Sequence, residues 1–209
     1  MAEPGVPRVA FAHDLWEHLS APRRWDRLAG SYLIPRAARE RARIVLLVRD
    51  LRDVMVSLHL QLTRRGFRSG LRFGGDLSAL LGDPGLGVER SVDILNYWLA
   101  EWRGSERFHL WVYEECRKDP ERVFWELLEF LGLGPVDPER LQDSIEFASF
   151  ENMQRMERDE RIQGRVLRPG DPADRESFKV RRGVVGGYRD YLGPDDIGVI
   201  ERAAARLAI

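Results

Sequence analysis

Ile44-Val45-Leu46-Leu47-Val48-Arg49-Asp50-Leu51-Arg52-Asp53-Val54-Met55-Val56-Ser57 is the stretch on which the fold turns. Its first five residues form an unbroken apolar run containing β-branched side chains, which suits a strand covered on both faces in a parallel sheet. The chain then passes through one arginine directly into a helix, and open parallel sheets collect ligands at the carboxyl ends of their strands. Arg49 therefore stands where an anion would bind, and Ser57 follows it by about two helical turns. Spacing alone also allows Arg49 to pair with Asp50 or Asp53 at the helix start, with Ser57 a small packing residue.

Two further apolar runs, Val9 to Ala12 and Phe108 to Val112, are separated from this one by helical stretches, so the pattern is α/β. The Gly-rich segment Gly66 to Gly87 reads as loop, and Val88, Val92, Leu95, Leu99 and Trp102 then mark an amphipathic helix. Asp119-Pro120-Glu121 opens another helix with a cap, a first-turn proline and an acid at the positive end of the dipole. Its apolar face is Val123, Phe124, Leu127, Leu128 and Leu131, and Gly132 stops it. Asp137-Pro138-Glu139 repeats the signal, Ser149 caps a further short helix, and Pro194 begins the last one. Arg158 to Glu176 is charged and rich in Gly and Pro, and reads as a loop.

The charge balance is even, 33 Lys and Arg against 34 Asp and Glu, so no net excess drives binding to nucleic acid or an anionic membrane. Any anion site must be local. One cysteine, Cys116, excludes an internal disulfide framework and suits the cytoplasm. Four scattered histidines and that cysteine show no metal-ligand spacing. No apolar run approaches the roughly 20 residues of a membrane span. A single globular domain over residues 1–209 is expected. The local anion site has a second candidate element in Phe178-Lys179-Val180-Arg181-Arg182-Gly183-Val184-Val185-Gly186-Gly187-Tyr188. Two adjacent arginines precede glycines that let backbone amides approach a ligand; a solvated basic loop would look the same.

In this order, the two segments resemble the 3′-phosphoadenosine 5′-phosphosulfate (PAPS)-dependent sulfotransferase family. Arg49, Asp53 and Ser57 match the family's strand-to-helix motif for the donor's 3′-phosphate. Arg181-Arg182-Gly183 is similar to its C-terminal Arg-Lys-Gly motif, with arginine in the middle position and Tyr188 where tryptophan is usual. Pro7 to His13 resembles the strand carrying the catalytic histidine, Trp111 to Glu114 the strand end whose tyrosine contacts the adenosine, and Ala148-Ser149-Phe150 the segment near the adenine. The resemblance thus implies His13 as base, and Tyr113, Ser149 and Phe150 beside Arg49, Ser57, Arg181, Arg182 and Gly183 on PAPS or its product adenosine 3′,5′-bisphosphate. A base of near-neutral pKa suits histidine.

The resemblance also implies a three-layer parallel sheet of the P-loop nucleotide-binding type and sulfuryl transfer to a hydroxyl or amine. Small molecules, glycans and lipid headgroups all remain open as acceptors. The family's phosphosulfate-binding strand, loop and helix stand upstream of the histidine strand, where this sequence offers only eight residues before Val9 and no lysine. The expectation is an N-terminally incomplete domain with an exposed sheet edge, less stable than a full homologue or covered in a homodimer. A non-catalytic nucleotide-binding or interaction protein of the same fold is the alternative. A kinase or other NTPase would need a phosphate loop and a magnesium ligand that cannot be located.

Overall fold

The computed structural model describes Val9 and residues 40–65, 72–159 and 169–208. His13 and the rest of the expected first strand lie outside the described residues. The chain divides into two compact units, Met1–Ala42 and Arg43–Ile209, and the architecture below belongs to the second.

Strand β1, Ile44–Val48, pairs in parallel with β2, Phe108–Val112, in a register that runs from Ile44 opposite Phe108 to Val48 opposite Val112. Both strands fall on the apolar runs, and the parallel pairing expected from them is present. Beyond β1 the chain enters helix α1, Leu51–Leu60, capped by the Asp50 carboxylate, which accepts from the Arg52 N–H at 2.9 Å. A short π-helical turn, Gln61–Arg65, extends it. Helix α2, Leu77–Leu81, lies inside the Gly-rich segment expected to be loop throughout. Five residues are too few to show a helical period, yet the Asp76 carboxylate accepts from the Ala79 N–H at 2.8 Å and starts the turn. Helix α3 covers Val88–Trp102, as its apolar spacing requires.

After β2 comes α4, Tyr113–Lys118, whose sequence has no apolar period. Its acids Glu114 and Glu115 stand in the first turn and Arg117 and Lys118 in the last, each sign opposite the end of the dipole it meets. Helix α5, Pro120–Leu131, and helix α6, Pro138–Phe147, begin at the two Asp-Pro signals, with Asp119 and Asp137 as caps. Gly132 ends α5 in the left-handed region at φ 72°. Helix α7, Phe150–Arg158, is capped by Ser149 and reaches the first residue of the stretch expected to be loop. Arg175–Ser177 and Gly187–Asp190 are 3-10 turns, and helix α8, Pro194–Ala204, closes the unit.

The core forms where α1 meets α2, α3 and α8. Leu51, Met55 and Val56 from α1 pack with Leu81, Val88 and Val92, and with Tyr188, Leu192, Ile200 and Ala203 from the C-terminal segment. Helix α1 is therefore fixed along its length, which leaves its first turn and the preceding strand end as a rigid platform. The apolar face read for α5 is less covered than its pattern suggests: Val123 is buried, whereas Phe124 and the neighbouring Trp125 remain over one-third exposed. No helix among the described residues is long and apolar enough to cross a membrane.

Candidate functional site

The parallel register sets the first wall of the site. Because Val48 stands opposite Val112, the residues that leave the two strands, Arg49 and Tyr113, emerge side by side. The Arg49 guanidinium carbon lies 4.6 Å from the Tyr113 ring centroid, a cation–π contact worth about 1 kcal/mol. One residue on, the Asp50 N–H donates to Glu114 Oε1 at 3.0 Å, tying the start of α1 to the start of α4.

The opposite wall is the segment Lys179 to Gly187, which two buried carboxylates hold in place. Asp53, in the first turn of α1, accepts from the Gly186 N–H at 2.8 Å and from the Tyr188 N–H at 2.9 Å. Its Oδ2 also lies 3.3 Å from Arg49 Nη2. Glu157, near the end of α7 and 1% exposed, accepts from the Lys179 and Val180 N–H groups at 2.7 Å each. Arg65 Nη1 balances it at 3.3 Å. Such charge-assisted bonds to backbone amides are the stronger class, and burial shields them from competing water. The Gln154 side-chain amide donates to the Val180 and Arg181 carbonyls at 3.3 and 3.2 Å.

Between the walls, Phe150 lies against Gly183. That glycine has φ 60°, and a Cβ there would run into the Phe150 ring. Glycine is thus required twice, by backbone sign and by space. The Arg117 guanidinium stands 5.6 Å from the same ring's centroid.

The result is a cleft of about 190 Å³. Arg49, Ser57, Tyr113, Phe150, Arg181, Arg182 and Gly183, all singled out in the sequence, line it together, although they come from the end of β1, α1, α4, α7 and the C-terminal loop. The ion pair that spacing allowed, Arg49 with Asp53, also forms, so the arginine both binds α1 and faces the cleft. Ser149 does not line the cleft; its hydroxyl caps α7 by accepting from the Asn152 N–H at 3.3 Å and so fixes the turn that presents Phe150. His13 lies outside the described residues.

The lining holds four cations, Arg49, Lys179, Arg181 and Arg182, against one carboxylate, Asp53. In a chain of net charge −1 this is a local concentration of basic side chains. Arg181 Nη1 is 3.2 Å from Glu176 Oε2, and the Tyr191 hydroxyl donates to the same oxygen at 2.9 Å. Arg182 Nη1 is 2.6 Å from Asp190 Oδ2. Arg49 Nε is buried with no hydrogen-bond partner among the described residues. Partial desolvation, reinforced by Arg65 and opposed by Glu157, pushes the Lys179 ammonium below the ordinary lysine range.

Sequence reading missed Lys179 as a lining residue and Glu157 as its anchor. Lys179 adjoins a motif and was within reach of the pattern. Glu157 was not, because a carboxylate bonded to amides some twenty residues away leaves no local signal.

A family model described as "Sulfotransferase domain" matches residues 17–207, nearly the whole chain. The chain belongs to the sulfotransferase domain family. That is the family the ordered motifs pointed to. Among curated sulfotransferases, cytosolic sulfotransferase 13 of Arabidopsis thaliana is 30% identical over 105 residues, covering 48% of this chain and 31% of that protein. Cytosolic sulfotransferase 12 of the same plant is 28% identical over 109 residues, 52% of this chain and 32% of that one. The matched region thus spans about a third of these sulfotransferases.

Among solved structures, mouse sulfotransferase SULT7A1 complexed with PAP superposes with a TM-score of 0.59 at 22% identity, covering 79% of this chain and 57% of that one. Retinol dehydratase in complex with androsterone and inactive cofactor PAP gives a TM-score of 0.56 at 20% identity, covering 83% and 49%. At these identities the likeness speaks for the fold: the Arg43–Ile209 unit of this sulfotransferase-family chain is built as α/β around a parallel strand pair.

Proposed function

We propose that the chain binds the adenosine nucleotide of a sulfuryl donor, PAPS, and acts as a sulfotransferase toward a hydroxyl or amine acceptor. The observation that carries this reading is the convergence of Arg49, Ser57, Arg181, Arg182 and Gly183 on one cleft beside Tyr113 and Phe150. A phosphate monoester needs several donors at close quarters, and guanidinium forks, a hydroxyl and a glycine amide are suited to it. The two aromatic rings supply flat apolar surface for a purine, each already flanked by an arginine.

The donor contributes an activated sulfuryl group on a phosphosulfate; the chain's own residues bind, orient and move a proton. Arg49, Ser57 and the Arg181-Arg182-Gly183 segment fix the nucleotide through its 3′-phosphate, and positioning is the main need of a transfer with a loose transition state. His13 takes the acceptor's proton, the role that the family resemblance gives it. The cytoplasm is the proposed site of action, in line with the relatives named cytosolic.

The deciding experiment is calorimetric titration with adenosine 3′,5′-bisphosphate beside adenosine 5′-monophosphate, for the chain, Arg49→Ala and Arg181→Ala. The expected result is preference for the bisphosphate, weakened about tenfold or more in each variant, equivalent to about 1.4 kcal/mol. No heat with the bisphosphate overturns the reading. His13→Ala should leave that binding intact and abolish sulfuryl transfer from PAPS to a phenol acceptor. Binding without transfer in the unaltered chain would instead establish a nucleotide-binding protein of the same fold.

A further inference from the structure

Resting on that reading of the cleft, we propose that Lys179 is a further ligand-binding residue, whose ammonium supplies the uncommitted positive charge that an anionic nucleotide meets there. Four cations line the cleft, and three are spoken for by carboxylates: Arg49 by Asp53 at 3.3 Å, Arg181 by Glu176 at 3.2 Å and Arg182 by Asp190 at 2.6 Å. Lys179 makes no ion pair with a carboxylate among the described residues. A paired guanidinium still donates hydrogen bonds, but its field at the ligand is partly cancelled by its partner. The Lys179 ammonium has no carboxylate in ion-pair contact among the described residues, and only the more distant charge of Glu157 offsets its field.

The lysine is also held where it is needed. Its own N–H and that of Val180 both bond to the buried Glu157 carboxylate at 2.7 Å, so the backbone that carries the side chain is anchored to α7. Glu157 is itself occupied by these two amides and by Arg65 at 3.3 Å. It serves as an anchor for the segment, and Lys179, exposed as a residue, lines the cleft with its ammonium partly desolvated. The charged groups around it are Arg65 from the turn after α1, Glu157 from α7, Arg181 and Arg182 on its own wall, and Arg49 and Asp53 across the cleft. Arg65 and desolvation both disfavour a charged lysine there, and the opposite charge of an arriving phosphate offsets these penalties.

The test compares Lys179→Met and Lys179→Arg with the unaltered chain, titrating adenosine 3′,5′-bisphosphate at 50 and 300 mM salt. The Met variant should bind about tenfold more weakly at low salt, and its affinity should fall less steeply as salt rises, because one screened attraction has gone. The Arg variant should restore most of the affinity and the salt dependence. Unchanged melting temperature in both variants would separate this effect from loss of fold. Binding of the bisphosphate by Lys179→Met with the strength and salt dependence of the unaltered chain overturns the proposal for Lys179 alone. Absence of bisphosphate binding in the unaltered chain overturns it together with the nucleotide reading.

Discussion

Two residues carry the geometry of the cleft, and neither is replaceable by a near neighbour. Asp53 is 4% exposed and accepts from the Gly186 and Tyr188 amides while pairing with Arg49. Asp53→Ala leaves two backbone donors and a guanidinium without their acceptor, at about 1–3 kcal/mol for each buried donor orphaned. The expected loss of stability in urea unfolding is about 3 kcal/mol, whereas Ser57→Ala on the exposed side of the same helix should cost under about 0.5 kcal/mol. Equal losses in the two variants would remove Asp53 as an anchor. Gly183 is constrained differently. Alanine there meets a left-handed backbone, costing about 1–2 kcal/mol, and a collision with Phe150. If the collision matters, Gly183→Ala in a Phe150→Ala background should cost at least about 1 kcal/mol less than in the parent, measured as a double-mutant cycle.

Among the elements, α1 has a cap that depends on pH. Burial alone would raise the Asp50 carboxyl, but its bonds to the Arg52 side chain and N–H outweigh this and hold it below the ordinary carboxylate range. A depressed carboxyl stabilises the fold above the unfolded value of about 3.9, and that contribution is lost as pH falls through the lower folded value. Stability of the chain should therefore drop below about pH 4, and Asp50→Asn should be less stable at neutral pH with a flatter acid limb. An acid limb identical in both proteins would refute the assignment. The same helix shows what the sequence could deliver: a strand from five apolar residues, a helix directly after it, and a place for Arg49 at the strand's end. Helices α5 and α6 were equally readable from their Asp-Pro starts. Helix α2 was hidden because five residues carry no period, and α4 because its regularity lies in charge sequence along the dipole, with no apolar face. Which side chains become buried was legible only in part, since Phe124 has the right spacing on α5 and little to cover it. The cleft followed the same division: most motif residues line it, Ser149 does not and His13 lies outside the described residues, and one of its two anchoring carboxylates, Glu157, depended on a long-range contact.

Across the whole molecule, the cleft wall from Lys179 to Gly187 is anchored at two points to two different elements. Glu157 fixes its beginning to α7, and Asp53 fixes its end to α1, which belongs to the main core. These anchors have no shared partner, so loosening one should leave the other in place. Hydrogen exchange can read them separately, because local opening of each bonded amide reports its own anchor. Glu157→Gln should speed exchange at Lys179 and Val180 while Gly186 and Tyr188 keep their protection, and Asp53→Asn should give the opposite pattern. A nucleotide gripped by Arg49 on one wall and Arg181 and Arg182 on the other spans both anchors. Saturating adenosine 3′,5′-bisphosphate, at about 100 times its dissociation constant, should therefore add up to about 2.7 kcal/mol of protection to all four amides together. Protection that rises at one pair and leaves the other unchanged would mean that the ligand touches only one end of the loop, and the arginines of the two walls would then have no common phosphate to hold.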